Sequence, residues 1–240
     1  MISRRYRFLH PCIRTLRMDA TIIAQPAPDK LKVLQHQQYE TVEHLTPATA
    51  PANPLDLFRA WFREAVEKKV HEPDAVTLAT ATAKGVPSAR VVLFKEADGR
   101  GFIFFTNYTS RKSQELTENP HVAMAFYWRE IHRSVRVVGR AERMTTEENE
   151  AYFKSRPVES QLGAWASRQS TVIDEGVLEE RLKKATEKFG SDVPTPAFWG
   201  GWRIIPDEVE FWLGKPARLH DRIHYARTES NDWRVERLSP

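Results

Sequence analysis

Three segments rich in β-branched and aromatic residues follow one another within residues 75–107, and they constrain the fold more than any other feature of the chain. The first gap between them contains Lys84-Gly85, and the second contains Asp98-Gly99. Turns of this composition join neighbouring antiparallel strands. The stretch therefore predicts a strand–turn–strand meander.

Further strands and several helices are predicted around this meander. The strand segments are HVAMAFYW, SVRVVGRAERM, GGWRIIP, EVEFWLG, RLHDRIHYA and WRVERL. One helix follows the N-cap candidate Asn53, and a capping box at Thr145 begins another that reaches about Ser155. Two more are expected near 159–166 and in DEGVLEERLKKATEKFG, which ends at Gly190. Because no βαβ alternation occurs, we expect an α+β fold with an antiparallel sheet or barrel of roughly six to eight strands, surrounded by helices.

The N-terminal residues differ in composition from the rest. Residues 1–18 hold five arginines and no acidic residue, a pattern typical of a mitochondrial transit peptide or of a disordered basic tail. Residues 19–53 are rich in Pro, Ala, Thr and Gln. We expect residues 1–53 to be a basic segment and an extended, partly disordered arm, and residues 54–240 to be a single domain.

Several function classes are excluded by what the sequence lacks. Cys12 is the single cysteine, which favours a reducing compartment and hence the cytoplasm, unless residues 1–18 direct the chain to mitochondria. No apolar run approaches the ~20 residues of a membrane span, so no membrane partner is expected. The histidines show no metal-ligand spacing, and HExxH, CxxC pairs, GxSxG, Walker and GxGxxG motifs are absent. An organic cofactor, and no metal, would have to carry any demanding chemistry.

Two cationic clusters occur where ordinary surface charge is not expected. Arg90 and Lys95 flank four apolar residues of a predicted strand, so at least one should lie near the core or a cleft, unless both mark strand ends in solvent. Tyr152 and Arg156 are four positions apart near the end of a predicted helix, with Ser160 just beyond. A guanidinium between two hydroxyls suits a phosphate monoester, although helix-end capping is the alternative.

A third cluster lies at the start of a helix for which Ser110 is the N-cap candidate. Arg111 and Lys112 occupy its first turn, where cations oppose the helix dipole. They are explained if an anion such as phosphate binds the helix N-terminus. The alternative is simple ion pairing with Glu115 and Glu118.

The fourth cluster lies in the segment GKPARLHDRIHY. If the strand RLHDRIHYA is regular, Arg218, His220 and Arg222 share one face of it. That face would hold anions or polar groups of a ligand. The alternative is an edge strand whose charges prevent aggregation.

Several long stretches of the chain resemble one known family. They are SARVVLFK, FFTNYTSRKSQEL, YFKSRPVESQLGAWASRQS, FWGGWR, EFWLG, RLHDR and WRVERLSP. From about Leu57 to Pro240 the chain is similar to the pyridoxine (pyridoxamine) 5′-phosphate oxidases. The resemblance implies a Greek-key split β-barrel that binds FMN, works as a homodimer with flavin between the subunits, and does not bind nucleic acid. It also implies oxidation of pyridoxine 5′-phosphate or pyridoxamine 5′-phosphate at C4′, with hydride transfer to flavin N5, to give pyridoxal 5′-phosphate while O2 becomes H2O2.

The resemblance also implies which residues form the site. FMN contacts would be Arg90, Val91, Val92, Leu93, Phe94, Lys95, Phe105, Thr106, Arg111, Lys112, Gln169, Ser170, Trp212 and Arg222. The substrate phosphate would contact Lys95, Tyr152, Arg156 and Ser160. The catalytic residues Arg218 and His220 would lie over the substrate ring.

One position departs from the family, which leaves other functions open. Ser134 stands where the family usually has a glutamine that contacts flavin, and serine is too short to reach as far. A bridging water would restore the contact at little cost; otherwise FMN binds less tightly. A non-catalytic FMN- or pyridoxal-phosphate-binding protein, and a flavin oxidase of the same fold with another substrate, such as the enzymes of phenazine biosynthesis, are the alternatives.

Overall fold

The computed structural model describes residues 38–240, and one compact unit runs from Tyr39 to Pro240. Its α-helices are α1 (Pro54–Glu67), α2 (Arg111–Glu118), α3 (Thr146–Ser155), α4 (Val158–Ala166) and α5 (Val177–Phe189). Its strands are β1 (Ala75–Ala81), β2 (Pro87–Ala97), β3 (Phe102–Asn107), β4 (His121–Trp128), β5 (Arg133–Arg143), β6 (Trp199–Leu213), β7 (Asp221–Arg227) and β8 (Trp233–Arg237). Residues 1–18, interpreted above as a transit peptide or a basic tail, lie outside the described residues. Within the described range, every helix is too short or too polar to traverse a bilayer.

Six of the strands close into an antiparallel barrel. They are hydrogen-bonded in the order β3-β2-β1-β4-β5-β6, and a further pairing of β3 with β6 closes the circle. Strands β7 and β8 extend the sheet from β6 outside the closure. Together with the surrounding helices, this confirms the expected α+β split barrel.

The long strand β6 is the element at which the barrel splits. Its residues 199–204 pair with β3, whereas residues 208–213 pair with β7. The sequence predicts two strands here, and that prediction is wrong because the ladder with β5 continues through both halves, with a register shift at Val138/Gly139. At this shift a Cβ on Gly139 would lie 2.0 Å from the carbonyl oxygen of Ile205. Only glycine allows the two backbones to approach so closely.

Helix α1 packs its apolar face against the barrel core. It begins at Pro54 as predicted, and Oδ1 of the N-cap residue Asn53 accepts a hydrogen bond from the Leu55 N–H at 3.0 Å. The Phe58 ring is fully buried, with its centroid 4.8 Å from that of Phe102. Burying such a side chain contributes about 2–3 kcal/mol, so α1 is part of the core that supports the barrel.

Strand β7 begins later than the sequence predicts. Residues Pro216–Arg218 form a 3₁₀ turn in which Ala217 and Arg218 adopt φ of 54° and 62°, a left-handed conformation that is uncommon outside glycine. The regular strand begins only at Asp221. The predicted strand face shared by Arg218, His220 and Arg222 is therefore wrong, because the turn breaks the alternation before β7 begins.

The residues that precede α1 contact the β6–β7 region. The Leu45 side chain is buried, and its N–H donates to Asp221 Oδ2 at 3.1 Å. Lys215 Nζ donates to the carbonyl of Thr41 at 2.8 Å. These contacts hold residues 41–45 beside the turn that carries Arg218.

Candidate active site

A cleft of about 630 Å³ opens between β2, β3, the start of α2, the end of α3 and the segment that follows α4. Most of the residues proposed from the sequence as ligand contacts line it. These are Arg90, Val91, Val92, Leu93, Lys95, Phe105, Thr106, Arg111, Lys112, Tyr152, Arg156, Gln169 and Ser170. Ser160 lines an adjoining cavity of about 390 Å³, which shares Arg156 with the cleft. Residues from distant parts of the sequence thus meet in one place.

Strand β2 forms one wall of the cleft. Val91 and Leu93 are 65% and 47% exposed although both are apolar. Phe94 is buried in the barrel core instead, so the structure does not bring its ring into the cleft. Lys95 Nζ forms an ion pair with Asp74 Oδ2 at 3.0 Å. The stretch of this wall between Arg90 and Lys95 is therefore apolar and open, with a cation on either side of it.

Lys112 is a buried cation that lines the cleft. Its side chain is 6% exposed, and Nζ donates to Thr106 Oγ1 at 3.2 Å, Gln169 Oε1 at 3.0 Å and Ser110 Oγ at 3.4 Å. No carboxylate within residues 38–240 forms an ion pair with it. Burial, and to a smaller extent the charge of Arg90, lowers the pKa of Lys112 to about 8. The ammonium group is thus held where an anion would stabilise it.

The start of α2 faces the same cleft. The helix begins at Arg111 as predicted, and Ser110 occupies the N-cap position without making a capping hydrogen bond. The Arg111 N–H lies 3.5 Å from Ser170 Oγ. Because the first N–H groups of a helix have no partner within it, this end of α2 is suited to bind an anion.

Beneath these cations lies a carboxylate, Glu115, which is 4% exposed. Its Oε2 accepts hydrogen bonds from Thr80 and Ser88 at 2.5 and 2.6 Å, and its Oε1 accepts one from Arg111 Nε at 2.8 Å. Arg90 Nη2 lies 3.5 Å from Oε2. Burial would raise the pKa of Glu115, but these hydrogen bonds, with the charge of Arg111, outweigh it and lower the pKa to about 2. Glu115 is therefore ionised at neutral pH.

Another cation, Arg156, lies on an aromatic stack at the other side of the cleft. The rings of Phe105 and Tyr152 are stacked with centroids 3.7 Å apart, and Phe105 also stacks on Trp199 at 5.3 Å. The Arg156 guanidinium carbon lies 4.8 Å from the Trp199 ring centroid. Arg156 Nη1 is buried and has no hydrogen-bond partner in the described part of the chain. Arg156 follows the last residue of α3, so the helix end and the stack together aim it at the cleft.

The other group of predicted site residues does not line this cleft. It consists of Trp212, Arg218, His220 and Arg222. The His220 ring lies 4.6 Å from Trp212, and its Nδ1 accepts a hydrogen bond from the Lys215 N–H at 3.0 Å. Arg222 Nε donates to Glu210 Oε1 at 2.7 Å. One chain thus carries two separate groups of predicted contacts.

Two sequence profiles match the chain. One, described as pyridoxamine 5′-phosphate oxidase, matches residues 62–188. The other, described as the C-terminal dimerisation region of pyridoxine 5′-phosphate oxidase, matches residues 199–240. The chain belongs to the pyridoxamine 5′-phosphate oxidase family.

Several curated proteins are similar to this chain, and they carry the name pyridoxine/pyridoxamine 5′-phosphate oxidase. The one from Paraburkholderia phymatum is 51% identical over 189 residues, which covers 78% of this chain and 89% of the relative. The one from Trichormus variabilis is 47% identical over 202 residues, covering 83% and 94%. Identity of this extent over most of both chains supports an oxidase of this family.

Solved structures show the same architecture. PhzG from Burkholderia lata, in complex with tetrahydrophenazine-1-carboxylic acid, has a TM-score of 0.79 and 36% identity, covering 83% of this chain and 98% of PhzG. An FMN-binding protein from Nostoc punctiforme, described as related to pyridoxamine 5′-phosphate oxidase, has a TM-score of 0.64 at 16% identity, covering 76% and 97%. The second likeness shows the fold alone.

Two features of this family member extend or qualify the sequence interpretation. The sequence predicts Glu115 only as an ion-pair partner of the cations at the start of α2, and its i, i+4 spacing from Arg111 is the signal for the contact that forms. Its burial depends on Thr80 and Ser88, which the sequence does not place near it. Ser134, at the position where the family usually has glutamine, donates from Oγ to the Phe126 carbonyl at 2.9 Å. Its hydroxyl is therefore bonded within the sheet.

Proposed function

We propose that this family member is an FMN-dependent oxidase that converts pyridoxamine 5′-phosphate and pyridoxine 5′-phosphate to pyridoxal 5′-phosphate, reducing O2 to H2O2, in the cytoplasm. The observation that carries the proposal is Lys112, whose buried ammonium group contacts only neutral oxygens among residues 38–240. An unpaired buried cation is costly, so its position is explained if a ligand supplies the negative charge. The FMN phosphate is such a ligand, and Arg111 and the N-terminus of α2 lie beside Lys112 to bind it.

The other groups of the cleft suit a flavin with a phosphate tail. We assign the cofactor to the lining residues Arg90, Val91, Val92, Leu93, Lys95, Phe105, Thr106, Arg111, Lys112, Gln169 and Ser170. The apolar side chains of β2 offer a surface for a flat ring, while the polar groups cluster around Lys112. Bound FMN would supply the redox chemistry by accepting a hydride from C4′ and passing the electrons to O2. With pyridoxamine 5′-phosphate, water would then supply the aldehyde oxygen and the amine would leave as ammonia.

The substrate phosphate is assigned to a second anion pocket. Arg156 has a buried Nη1 that lacks a partner among the described residues, and burial lowers its pKa, so a bound phosphate would satisfy this group. Tyr152 stands beside it in the cleft, and Ser160 lies in the adjoining cavity. Lys95 would exchange its ion pair with Asp74 for the same phosphate.

The site is completed, in this proposal, by a second copy of the chain. The profile for residues 199–240 describes a dimerisation region, and Trp212, Arg218, His220 and Arg222 all lie within it. The exposed apolar side chains of Val91 and Leu93 border the cleft, where a partner would cover them. Arg218 and His220 of the partner subunit would then lie over the substrate.

The contacts of His220 favour a role as a hydrogen-bond donor. Its Nδ1 accepts the Lys215 N–H, so the neutral imidazole carries its proton on Nε2. In the substrate complex, Nε2 would then donate to an oxygen or nitrogen of the substrate and hold C4′ in place. Arg218 would stabilise negative charge on the substrate ring.

The direct test is an assay of the purified protein. We expect a yellow protein that produces pyridoxal 5′-phosphate and H2O2 in equal amounts when pyridoxamine 5′-phosphate is added in air. A yellow but inert protein would favour a binding module, and a protein that does not take up FMN would contradict the proposal.

A complementation experiment tests whether each site draws on two subunits. At a pyridoxamine 5′-phosphate concentration near the wild-type KM, Arg156→Ala and Arg218→Ala should each have little activity alone. When the two are unfolded together and refolded, half of the dimers should be mixed, and each mixed dimer should contain one intact site, so about a quarter of wild-type activity should return. No recovery would show that one chain supplies the whole site.

Oxidation of a different substrate on the same fold is the second candidate, because PhzG is 36% identical to this chain. The two candidate functions differ in whether the substrate carries a phosphate. The anion pocket formed by Tyr152, Arg156 and Ser160 favours a phosphorylated substrate. Arg156→Ala should therefore raise KM for pyridoxamine 5′-phosphate. A turnover independent of the substrate phosphate would favour the second candidate.

A further inference from the structure

Glu115 is a buried carboxylate in contact with two arginines of the cleft, and it contacts no ligand in the function proposed above. We propose that Glu115 is a positioning residue that orders Arg90 and Arg111 so that the cleft recognises a phosphate monoester. This inference rests on the proposed function, since it assigns the role within the same FMN cleft.

Arg111 is held in a way that leaves its terminal nitrogens for an anion. Glu115 Oε1 accepts from Nε of Arg111 at 2.8 Å. Within residues 38–240, no acceptor bonds to the Nη atoms of Arg111. The Arg111 side chain is 59% exposed, so without this anchor it would move freely in solvent. An arginine fixed at Nε and open at its Nη edge is preorganised for phosphate oxygens.

Arg90 is fixed more completely than Arg111. Its Nη1 donates to Thr80 Oγ1 at 2.6 Å and to the Leu78 carbonyl at 3.3 Å, and its Nη2 donates to Ser88 Oγ. Glu115 accepts from the same two hydroxyl groups, so carboxylate, hydroxyls and guanidinium form one network. Arg90 therefore contributes a fixed positive charge to the cleft.

The charges in this network match one kind of ligand. Arg90, Arg111 and Lys112 are cations, and Glu115 is ionised, so the four side chains carry a net charge of +2 at neutral pH. A phosphate monoester carries about −2 under the same conditions. Glu115 thus lowers the net positive charge of this group of side chains to a value that one phosphate monoester neutralises.

The test compares Glu115→Gln with Glu118→Gln, which removes the same charge from an exposed position of the same helix. FMN binding is titrated by fluorescence at about 0.1 M and about 1 M salt, where screening lengths are roughly 10 and 3 Å. We expect Glu115→Gln to bind FMN about fivefold more weakly at both, because the neutral amide holds Arg111 less firmly and more of its ordering must then occur on binding. Glu118→Gln should bind like wild type at high salt. Equal binding by Glu115→Gln would show that the anchor on Arg111 has no effect, and tighter binding would show that net charge alone sets the affinity. Either result would overturn the proposal.

Two further measurements separate positioning from a general structural role. In the Arg111→Ala background, Glu115→Gln should have little further effect, and riboflavin, which lacks the phosphate, should bind Glu115→Gln and wild type equally. A similar loss for riboflavin would overturn the proposal.

The proposed function is tested separately, because it depends on FMN binding by the wild type. The role of Glu115 is also tested by the rise in melting temperature that inorganic phosphate causes when it binds the protein. That rise should be smaller for Glu115→Gln than for Glu118→Gln, and an equal rise would contradict the role whether or not flavin binds.

Discussion

Replacing Lys112 with methionine should stabilise the ligand-free protein and weaken FMN binding at the same time. Burial lowers the pKa of Lys112 from 10.5 to about 8, which corresponds to about 3 kcal/mol against the protonated form in the folded state. Since the cleft admits water, we expect about 1–2 kcal/mol of this to be recovered on replacement. Methionine is of similar length and uncharged, so it can occupy the same space, while Thr106 and Gln169 keep their mutual hydrogen bond.

The stability change is measured by urea and thermal unfolding of the ligand-free protein at pH 7 and one fixed protein concentration, because the family forms dimers. A gain of 1–2 kcal/mol should raise Tm by about 3–6 °C. The pH dependence supplies an independent check. The folded state releases the Lys112 proton near pH 8, whereas the unfolded chain keeps it to about 10.5. Wild type should therefore gain stability relative to the variant as the pH rises through this window.

FMN affinity should change in the opposite direction. Loss of one charged hydrogen bond to the phosphate should weaken binding by about 1.5–3 kcal/mol, or roughly 10- to 100-fold. Lys183→Met, at a solvent-exposed position, is the matched control and should alter neither property appreciably. If ligand-free Lys112→Met is no more stable than wild type at pH 7, or if the difference persists unchanged above pH 9, the argument from burial is wrong.

Three other variants test separate parts of the structure. Arg218→Ala should lose most of its turnover while FMN stays bound, and near-normal turnover would remove Arg218 from the site. Arg111→Ala should bind FMN about tenfold more weakly than wild type. Unchanged flavin content after gel filtration would count against the anion site at α2. Thr145→Ala removes the hydroxyl that accepts the Glu148 N–H at 3.2 Å and should cost about 1 kcal/mol in urea unfolding without altering KM.

Most of the secondary structure could be predicted from the sequence because its signals are local. The strand HVAMAFYW corresponds to β4 from His121 to Trp128, and the capping box at Thr145 forms both of its hydrogen bonds. The α+β fold class follows from the same local patterns. The cationic clusters predict about half of the candidate contacts and the family resemblance implies the others, and most of both sets line one cleft.

Other features depend on contacts between distant residues, which no local pattern contains. Strand β6 pairs with β3 in one half and with β7 in the other, a choice made by barrel closure. Thr80 and Ser88 belong to β1 and β2, and their hydroxyl groups bond the carboxylate of Glu115, which is buried although its helix position alone predicts a surface residue. The left-handed turn at Arg218 breaks an alternation that the sequence alone favours.

The sequence by itself therefore determined the elements and the residue types available for binding phosphate. Only the tertiary structure decided which of them share a cleft, because closing the barrel brings β2, β3 and α2 together while β7 lies outside the closure.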